Sequence, residues 1–355
     1  MSNSREVAAM PDSSVAVYGA YGHTGRFVVA ELLARGYAPL LAGRDRDKLL
    51  SLAHHHPGLE TRTAAVEDPA ALDRVLRDTA AVINCAGPFA TTAAPLIEAA
   101  LRAGLPYVDV AAEIEANHDT FTAFAQPALA AGTLVVPAMA FYGGLGDLLV
   151  TAALGDSTAA DAAHIAYGLS SWHPTPGTLA AGAVSAQRRG GRRVRYTGGR
   201  LQMHDETLPT VRWPFPPPSG DQDVLAGFTM ADVVTVPSHL TIPEVCTYMT
   251  VSAAAGLAAP HTPAPAAVDE HGRSAQTFVV DARVHVGREQ SRMAVSGQDI
   301  YAVSAPLAVE AVDRILTGRT KTVGVASAGA AFDAPSFLRA LSPHLKPIDA
   351  RGGVR

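Results

Sequence analysis

The sequence predicts an α/β protein: a Rossmann-type doubly wound parallel sheet with an inserted α+β domain built on an antiparallel sheet. Three observations predict it. Short apolar strands alternate with helical segments from residue 15 to residue 136, the pattern of a parallel sheet covered on both faces. A glycine trio, Gly19-x-x-Gly22-x-x-Gly25, falls where the first strand turns into the first helix. From about residue 160 the texture changes to repeated strand-like alternation, as in an antiparallel sheet.

In order, residues 15–18 read as a short buried strand and residues 24–35 as a helix with a C-terminal stop at Gly36. Residues 38–42 form a second strand, residues 48–54 the core of a second helix, and residues 61–66 a third strand. A helix over 69–77, a strand over 80–85, a helix over 93–103 ending at Gly104, and strands at 107–110 and 134–136 complete the series. Residues 122–146 carry no charge, which raises the question of a membrane span. Pro127, Gly132, Pro137 and Gly143-Gly144 interrupt them, so they read as a helix end, a buried strand and a loop. A helix over 147–154 follows.

Beyond it, strand alternation is expected at 164–169, 192–201, 233–240, 245–253 and 276–295. Trp172-His-Pro-Thr-Pro-Gly-Thr178 reads as a loop leading into an Ala-rich helix. Trp213 to Gly220 is a proline-rich excursion, either a lid over a cleft or a surface loop. Residues 254–267, rich in Ala and Pro, are expected to link strands. Arg188-Arg-Gly-Gly-Arg-Arg193 reads as a solvated hairpin turn rather than a phosphate site. A helix over 301–317 ends at Gly318. The expected division is a dinucleotide-binding domain at 1–150, an α+β substrate and dimerisation domain at 151–300, and C-terminal helices at 301–355 that return to the first domain.

Composition narrows the function classes. The 355 residues are 48% hydrophobic and 17% charged, enough for a sizeable core, and a net charge of −5 provides no basic field for nucleic acid. Cys85 and Cys246, the only cysteines, cannot build a disulfide framework or a thiolate zinc site, which fits a reducing cytoplasmic setting. Residues 1–14 mix Arg5, Glu6 and Asp12 and lack an apolar signal core. No membrane span is expected. His54-His-His56 precedes Pro57-Gly58 and reads as a solvated turn, so no metal is expected. Cys85 reads as a small buried residue rather than a nucleophile.

The glycine trio after a strand and before a helix predicts a phosphate cradle: a tight turn, close backbone approach to a pyrophosphate, and helix N–H groups aimed at the anion. The second strand ends Leu41-Ala-Gly-Arg44 instead of in the Asp or Glu that holds a ribose hydroxyl. Gly43 leaves room, Arg44 presents a planar guanidinium suited to a 2′-phosphate, and Lys48 follows one helical turn later. The cofactor expected is NADP(H); the neighbouring Asp45 and Asp47 leave NAD open.

Val17-Tyr-Gly-Ala-Tyr-Gly-His-Thr-Gly-Arg26, Leu41-Ala-Gly-Arg-Asp-Arg-Asp-Lys-Leu49, Val82-Ile-Asn-Cys-Ala-Gly-Pro-Phe89 and Tyr107-Val-Asp-Val-Ala-Ala-Glu113 occur in the order seen in saccharopine dehydrogenase-like reductases. The set resembles in particular the branch containing trans-acting enoyl reductases. It covers about the first 150 residues and returns faintly at Gly297-Gln-Asp-Ile-Tyr301. The resemblance implies that Gly19, Tyr21, Gly22, His23, Thr24 and Gly25 cradle the pyrophosphate and that Arg44 and Lys48 hold the 2′-phosphate. It also implies that Glu67 lies near the adenine and that Asn84, Ala86, Gly87, Pro88 and Phe89 pass under the nicotinamide ribose. Ala112 replaces a glycine common in the family, so Glu113 is read as a structural carboxylate. The active site would lie in the cleft between domains.

Tyr142, Asp147 and His173 are the candidates for proton transfer and polarisation. Each has a plainer reading: packing for Tyr142, an N-cap for Asp147, a loop position for His173. The Tyr-x-x-x-Lys pair of short-chain dehydrogenases is absent, since Gly146 and Ala111 stand four residues after Tyr142 and Tyr107. The leading expectation is an NADPH-dependent reductase of a C=C (enoyl) or C=N (imine) bond in a small metabolite or carrier-bound intermediate. The alternatives are an imine-forming amino-acid dehydrogenase of saccharopine type and a non-catalytic NADP(H)-binding sensor or scaffold. An exposed antiparallel sheet would be compatible with a homodimer.

Overall fold

A computed structural model describes residues 13–348; the N-terminal segment read above as lacking a signal core lies mostly outside them. Strands β1 (Ser14–Tyr18), β2 (Ala38–Gly43), β3 (Thr61–Thr63), β4 (Ala81–Asn84), β5 (Tyr107–Asp109) and β6 (Leu134–Val136) alternate with helices. Those helices are α1 (His23–Ala34), α2 (Arg46–His55), α3 (Pro69–Leu76), α4 (Phe89–Ala103) and α5 (Ile114–Ala130). The third strand is shorter than expected, and α4 begins a turn earlier. A wide turn at Phe141–Leu145 then opens α6 (Gly146–Leu154).

The second part contains β7 (Ala162–Leu169), α7 (Pro176–Arg188), β8 (Arg193–Thr197), β9 (Arg200–His204), β10 (Thr210–Pro214) and β11 (Asp221–Ala226). It continues through α8 (Asp232–Thr235), β12 (Glu244–Thr250), α9 (Val251–Ala258), β13 (Thr277–Val286) and β14 (Glu289–Gln298). The chain closes with α10 (Ser304–Leu316), β15 (Gly324–Val325), α11 (Ala328–Ala331), α12 (Ala334–Ala340) and β16 (Lys346–Ile348).

The first sheet is parallel throughout, in the order β15-β6-β5-β4-β1-β2-β3. The strand order reverses between β1 and β4, which opens a crevice at their C-terminal ends. The second sheet runs β10-β11-β12-β7-β13-β14-β16, with β8 and β9 attached at β12. It is mixed rather than purely antiparallel: β12 lies parallel to β7, with Glu244 opposite Ala162. The intervening chain is long enough to carry β12 back to the same end of the sheet, which a parallel pair requires.

Three local expectations change. Residues 233–240 are not a strand; α8 and a short 3-10 turn at Val236–Ser238 occupy them. Asp232 to Val236 are buried on every side, so their apolar run carries no usable period. The Ala-rich start of the 254–267 segment belongs to α9, where alanine propensity favours helix. The basic run 188–193 is the turn from α7 into β8, with Gly190 and Gly191 at positive φ, and the hairpin lies further on at Gly198-Gly199.

The core is shared by both parts. Leu148, Leu149 and Val150 of α6 join Tyr167 and Val280 of the second sheet and Leu307 and Val309 of α10. Helix α10 returns to α1, where Arg35 Nη1 meets Glu310 Oε2 at 2.6 Å and the Tyr37 hydroxyl donates to Asp313 at 2.7 Å. β16 instead goes back to the second sheet. No helix among the described residues is long and apolar enough to cross a membrane.

Candidate functional site

The turn after β1 is built for an anion. Gly19 has φ +83°, and a Cβ there would stand 2.8 Å from the Ala86 nitrogen, so the turn closes only with glycine. A Cβ on Gly25 would overlap the Gly19 carbonyl oxygen, which sets how closely α1 approaches its strand. Gly22 is the N-cap of α1 and provides no side-chain cap, and the first turn holds no acidic residue. The first helical N–H groups are thus left for a ligand, with the positive end of the helix dipole behind them.

This turn forms one end of a cleft of about 1030 Å³ that runs between the two sheets. Gly19, Tyr21, Gly22, His23 and Thr24 line it; Gly25 sits behind them. At the end of β2 the missing Cβ of Gly43 makes room for the Tyr21 ring, 2.8 Å from where that Cβ would be. Arg44 and Lys48 are exposed and face the same cleft, as does Glu67. Asp45 is occupied: its carboxylate caps α2 by accepting from the Lys48 N–H at 3.1 Å. Arg44 has no ion-pair partner among the described residues, which suits a phosphate better than a ribose hydroxyl.

The loop after β4 continues the cleft floor through Cys85, Ala86, Gly87, Pro88 and Phe89. Asn84, expected beneath the ribose, is fully buried and shapes this loop from behind. Its Oδ1 accepts from the Ala86 N–H at 3.0 Å, and its Nδ2 donates to Thr92 and Tyr107. Glu113 has the structural role read from the sequence: its two oxygens accept from the Phe89 and Ala90 N–H groups at 2.7 and 3.1 Å, at the start of α4. Burial raises its carboxyl. Burial also pushes the Cys85 thiol up, so it stays protonated and is a poor nucleophile.

Of the three candidates for chemistry, the structure brings only Tyr142 to the cleft. Its ring packs on Tyr167 and Trp172, with centroids 4.9 and 5.3 Å away, and its buried hydroxyl has no hydrogen-bond partner among the described residues. Burial holds this phenol well above its ordinary value, so it is a donor at neutral pH. Behind it, Asp232 accepts from the Tyr167 hydroxyl at 2.8 Å with one oxygen and leaves the other unpartnered. Burial first, then the charge of Asp147, pushes the Asp232 carboxyl up to about 7.

Asp147 and His173 require correction. Asp147 is neither an N-cap nor a cleft residue: Oδ1 meets His239 Nε2 at 2.7 Å, and Oδ2 accepts from the Gly329 N–H at 2.7 Å, both inside the protein. It ties α6 to the C-terminal helices. His173 turns away from the cleft, with Nδ1 3.1 Å from the Pro263 carbonyl oxygen. Its backbone carbonyl instead accepts from the Tyr301 hydroxyl at 3.2 Å. Among the described residues no group of three metal-ligating side chains exists.

Trp172, Phe228, Met230, Leu257 and Tyr301 complete the far wall. Trp172, Leu257 and Tyr301 fell within segments singled out in the sequence; Phe228 and Met230 carry no pattern that marks them. The Tyr301 hydroxyl is a hub that receives Trp172 Nε1 and the Thr175 N–H, both at 3.3 Å, and lies 3.1 Å from Thr178 Oγ1.

Known proteins support this geometry. Residues 15–136 match the family model described as the saccharopine dehydrogenase NADP binding domain. A saccharopine dehydrogenase-like oxidoreductase of Bos taurus is 30% identical over 115 residues, 27% of this chain and 27% of that protein. An Arabidopsis thaliana relative, named "Probable mitochondrial saccharopine dehydrogenase-like oxidoreductase", is 30% identical over 146 residues, 37% of this chain and 32% of that protein. The matches thus span about a third or less of these relatives' lengths. The apo saccharopine dehydrogenase (L-Glu forming) of Saccharomyces cerevisiae superimposes with a TM-score of 0.64 over 95% of this chain and 99% of that one. At 13% identity the likeness is one of fold. The glycine cradle, the uncapped helix start and the free Arg44 fit the cofactor in that domain's name. Residues 15–136 are accordingly similar to a saccharopine dehydrogenase NADP binding domain, and NADP(H) is the cofactor that this part of the chain is built for.

Proposed function

We propose that the chain is an NADPH-dependent reductase of a C=C bond conjugated to a carbonyl, or of a C=N bond, with Tyr142 as the polarising donor. The observation that carries this reading is the Tyr142 hydroxyl: buried in the cleft wall, kept protonated, and without a partner among the described residues. A buried donor without a partner is costly, and a substrate oxygen or nitrogen would satisfy it.

When bound, the cofactor supplies a hydride. The Gly19–Gly25 turn and Arg44 anchor its phosphates, and the 85–89 loop, fixed by Asn84 and Glu113, forms the floor. That hydride would go to the electron-poor carbon, and the displaced π electrons to the conjugated oxygen or to the imine nitrogen. The Tyr142 O–H stabilises that charge by a hydrogen bond. A proton, ultimately from water, then completes the reduced C–C or N–H bond.

The test is NADPH oxidation with a panel of enoyl thioesters, cyclic imines and amine-plus-oxo-acid pairs. Tyr142→Phe is expected to lower turnover by about 10²–10³-fold, the usual cost of one such donor, without weakening NADPH binding. Unchanged turnover would remove Tyr142 from the chemistry. NADPH binding without oxidation across the panel would favour a sensor. The shared fold with a saccharopine dehydrogenase keeps the amine-plus-oxo-acid pairs in the panel.

A further inference from the structure

We infer that Tyr21 is part of the 2′-phosphate site: its ring, seated where Gly43 has no side chain, brings the hydroxyl to the tip of β2 beside Arg44 and helps select NADP(H) over NAD(H). This rests on the cofactor and not on the reaction, so it stands or falls apart from the reductase reading.

Chain order alone would assign Tyr21 to the pyrophosphate, since it lies between Gly19 and Gly22. Its backbone does stay on that turn: the Tyr21 carbonyl accepts from Arg26 Nε of α1 at 3.2 Å. The side chain leaves it. A Cβ on Gly43, at the end of β2, would stand 2.8 Å from Tyr21 Cε1 and 3.4 Å from both Cζ and the hydroxyl oxygen. Any side chain at position 43 would therefore push the ring aside, so glycine at 43 and tyrosine at 21 form one arrangement. Lys48 of α2 sits near the same ring, its Nζ 5.7 Å from the centroid and 3.3 Å from Asp45. The hydroxyl end of the ring thus belongs to the tip of β2, and Arg44 is the next residue along.

The end of the second strand is where a dinucleotide site reads the adenosine ribose. A carboxylate at that place accepts from the ribose hydroxyls and repels a 2′-phosphate. Here the place holds a phenol. Tyr21 is half-buried and lines the cleft, and its hydroxyl has no hydrogen-bond partner among the described residues and is not closed off from the cleft. A phenol O–H donates to a phosphate oxygen, and a hydrogen bond to a charged acceptor is about twice as strong as one between neutral groups. The same hydroxyl facing the bare 2′-hydroxyl of NAD(H) gains only the weaker kind. Arg44 supplies the charge for the phosphate, and Tyr21, held by the Gly43 gap, supplies a donor of fixed direction.

Calorimetric titration with 2′,5′-ADP and 5′-AMP, alongside NADPH and NADH, isolates this end by binding alone. 2′,5′-ADP carries the 2′-phosphate but no pyrophosphate, and 5′-AMP carries neither. Tyr21→Phe keeps the ring in its seat and should weaken 2′,5′-ADP and NADPH by about tenfold, with 5′-AMP and NADH changed by less than about twofold. Gly43→Ala alters no polar group, yet it should displace the ring and weaken NADPH to a similar extent. In the Tyr21→Phe background the same Gly43→Ala change should add less than about twofold, because the hydroxyl is already gone. Thermal unfolding is the folding control, and if Gly43→Ala fails it, Tyr21→Phe decides alone. Equal weakening of NADPH and NADH with 2′,5′-ADP unchanged would return Tyr21 to the pyrophosphate and overturn the inference. Unchanged 2′,5′-ADP affinity in Tyr21→Phe, or a Gly43→Ala loss that adds in full to the Tyr21→Phe loss, would overturn it as well. NADPH binding that follows these expectations without oxidation of NADPH by any substrate would leave it standing and count against the reductase reading instead.

Discussion

Replacement of Arg44 by Ala should separate NADPH from NADH. The guanidinium is exposed at the end of β2, faces the cleft and has no carboxylate partner among the described residues, which leaves its donors for the 2′-phosphate. A hydrogen bond to a charged group contributes about 1.5–3 kcal/mol, which corresponds to about 10- to 150-fold in NADPH affinity. NADH lacks that phosphate, so its affinity should barely change. Lys48 should matter less, because its Nζ already lies 3.3 Å from Asp45 and both are exposed. Its removal should cost on the order of 1 kcal/mol or less. The assay is titration of each cofactor by nicotinamide fluorescence or calorimetry at one fixed salt concentration, since exposed charges are screened. Equal weakening of NADPH and NADH, or no weakening of NADPH, would refute the assignment.

Gly25→Ala should abolish cofactor binding and lower stability by a few kcal/mol, because the added methyl meets the Gly19 and Ala20 carbonyl oxygens, which are backbone and cannot swing away; retained NADPH affinity in a titration would contradict this. Asp232→Asn should flatten the pH profile of stability. With its carboxyl raised to about 7, the folded state holds a proton that the unfolded chain has lost, so wild-type stability falls as pH rises from the ordinary carboxylate range to about 7. That decline is on the order of a few kcal/mol and should be missing from the Asn variant in urea unfolding across the range; parallel profiles would sink the idea. Asp147→Ala strands His239 and the Gly329 N–H inside the protein and should cost about 3–5 kcal/mol while leaving NADPH affinity unchanged; a selective loss of cofactor affinity at full stability would return Asp147 to the site.

The nucleotide half was legible because its signals are local. A strand, three glycines at fixed spacing and a helix start fall within a dozen residues, and each glycine answers to a nearby backbone atom. Arg44 stood out because the residue type at that strand end selects the cofactor. The second sheet was legible as strands but not as an order, since β7 and β12 pair across about eighty intervening residues. Residues 233–240 misread because a run buried on every side has no period to separate strand from helix. Asp147 was placed correctly near the start of a helix, yet the direction of its carboxylate depends on His239 and Gly329, 92 and 182 residues away. The far wall was hidden for the same reason: Tyr142, Trp172, Phe228 and Tyr301 meet only through tertiary packing.

Hydride transfer itself can be followed with NADPH that carries deuterium at the transferred position of the nicotinamide, with the product read by mass spectrometry. An enoyl thioester or cyclic imine should emerge reduced, with one deuterium at the carbon that was electron-poor and one NADP⁺ formed per product. Tight NADPH binding with no deuterium in any product of the panel would contradict a reductase.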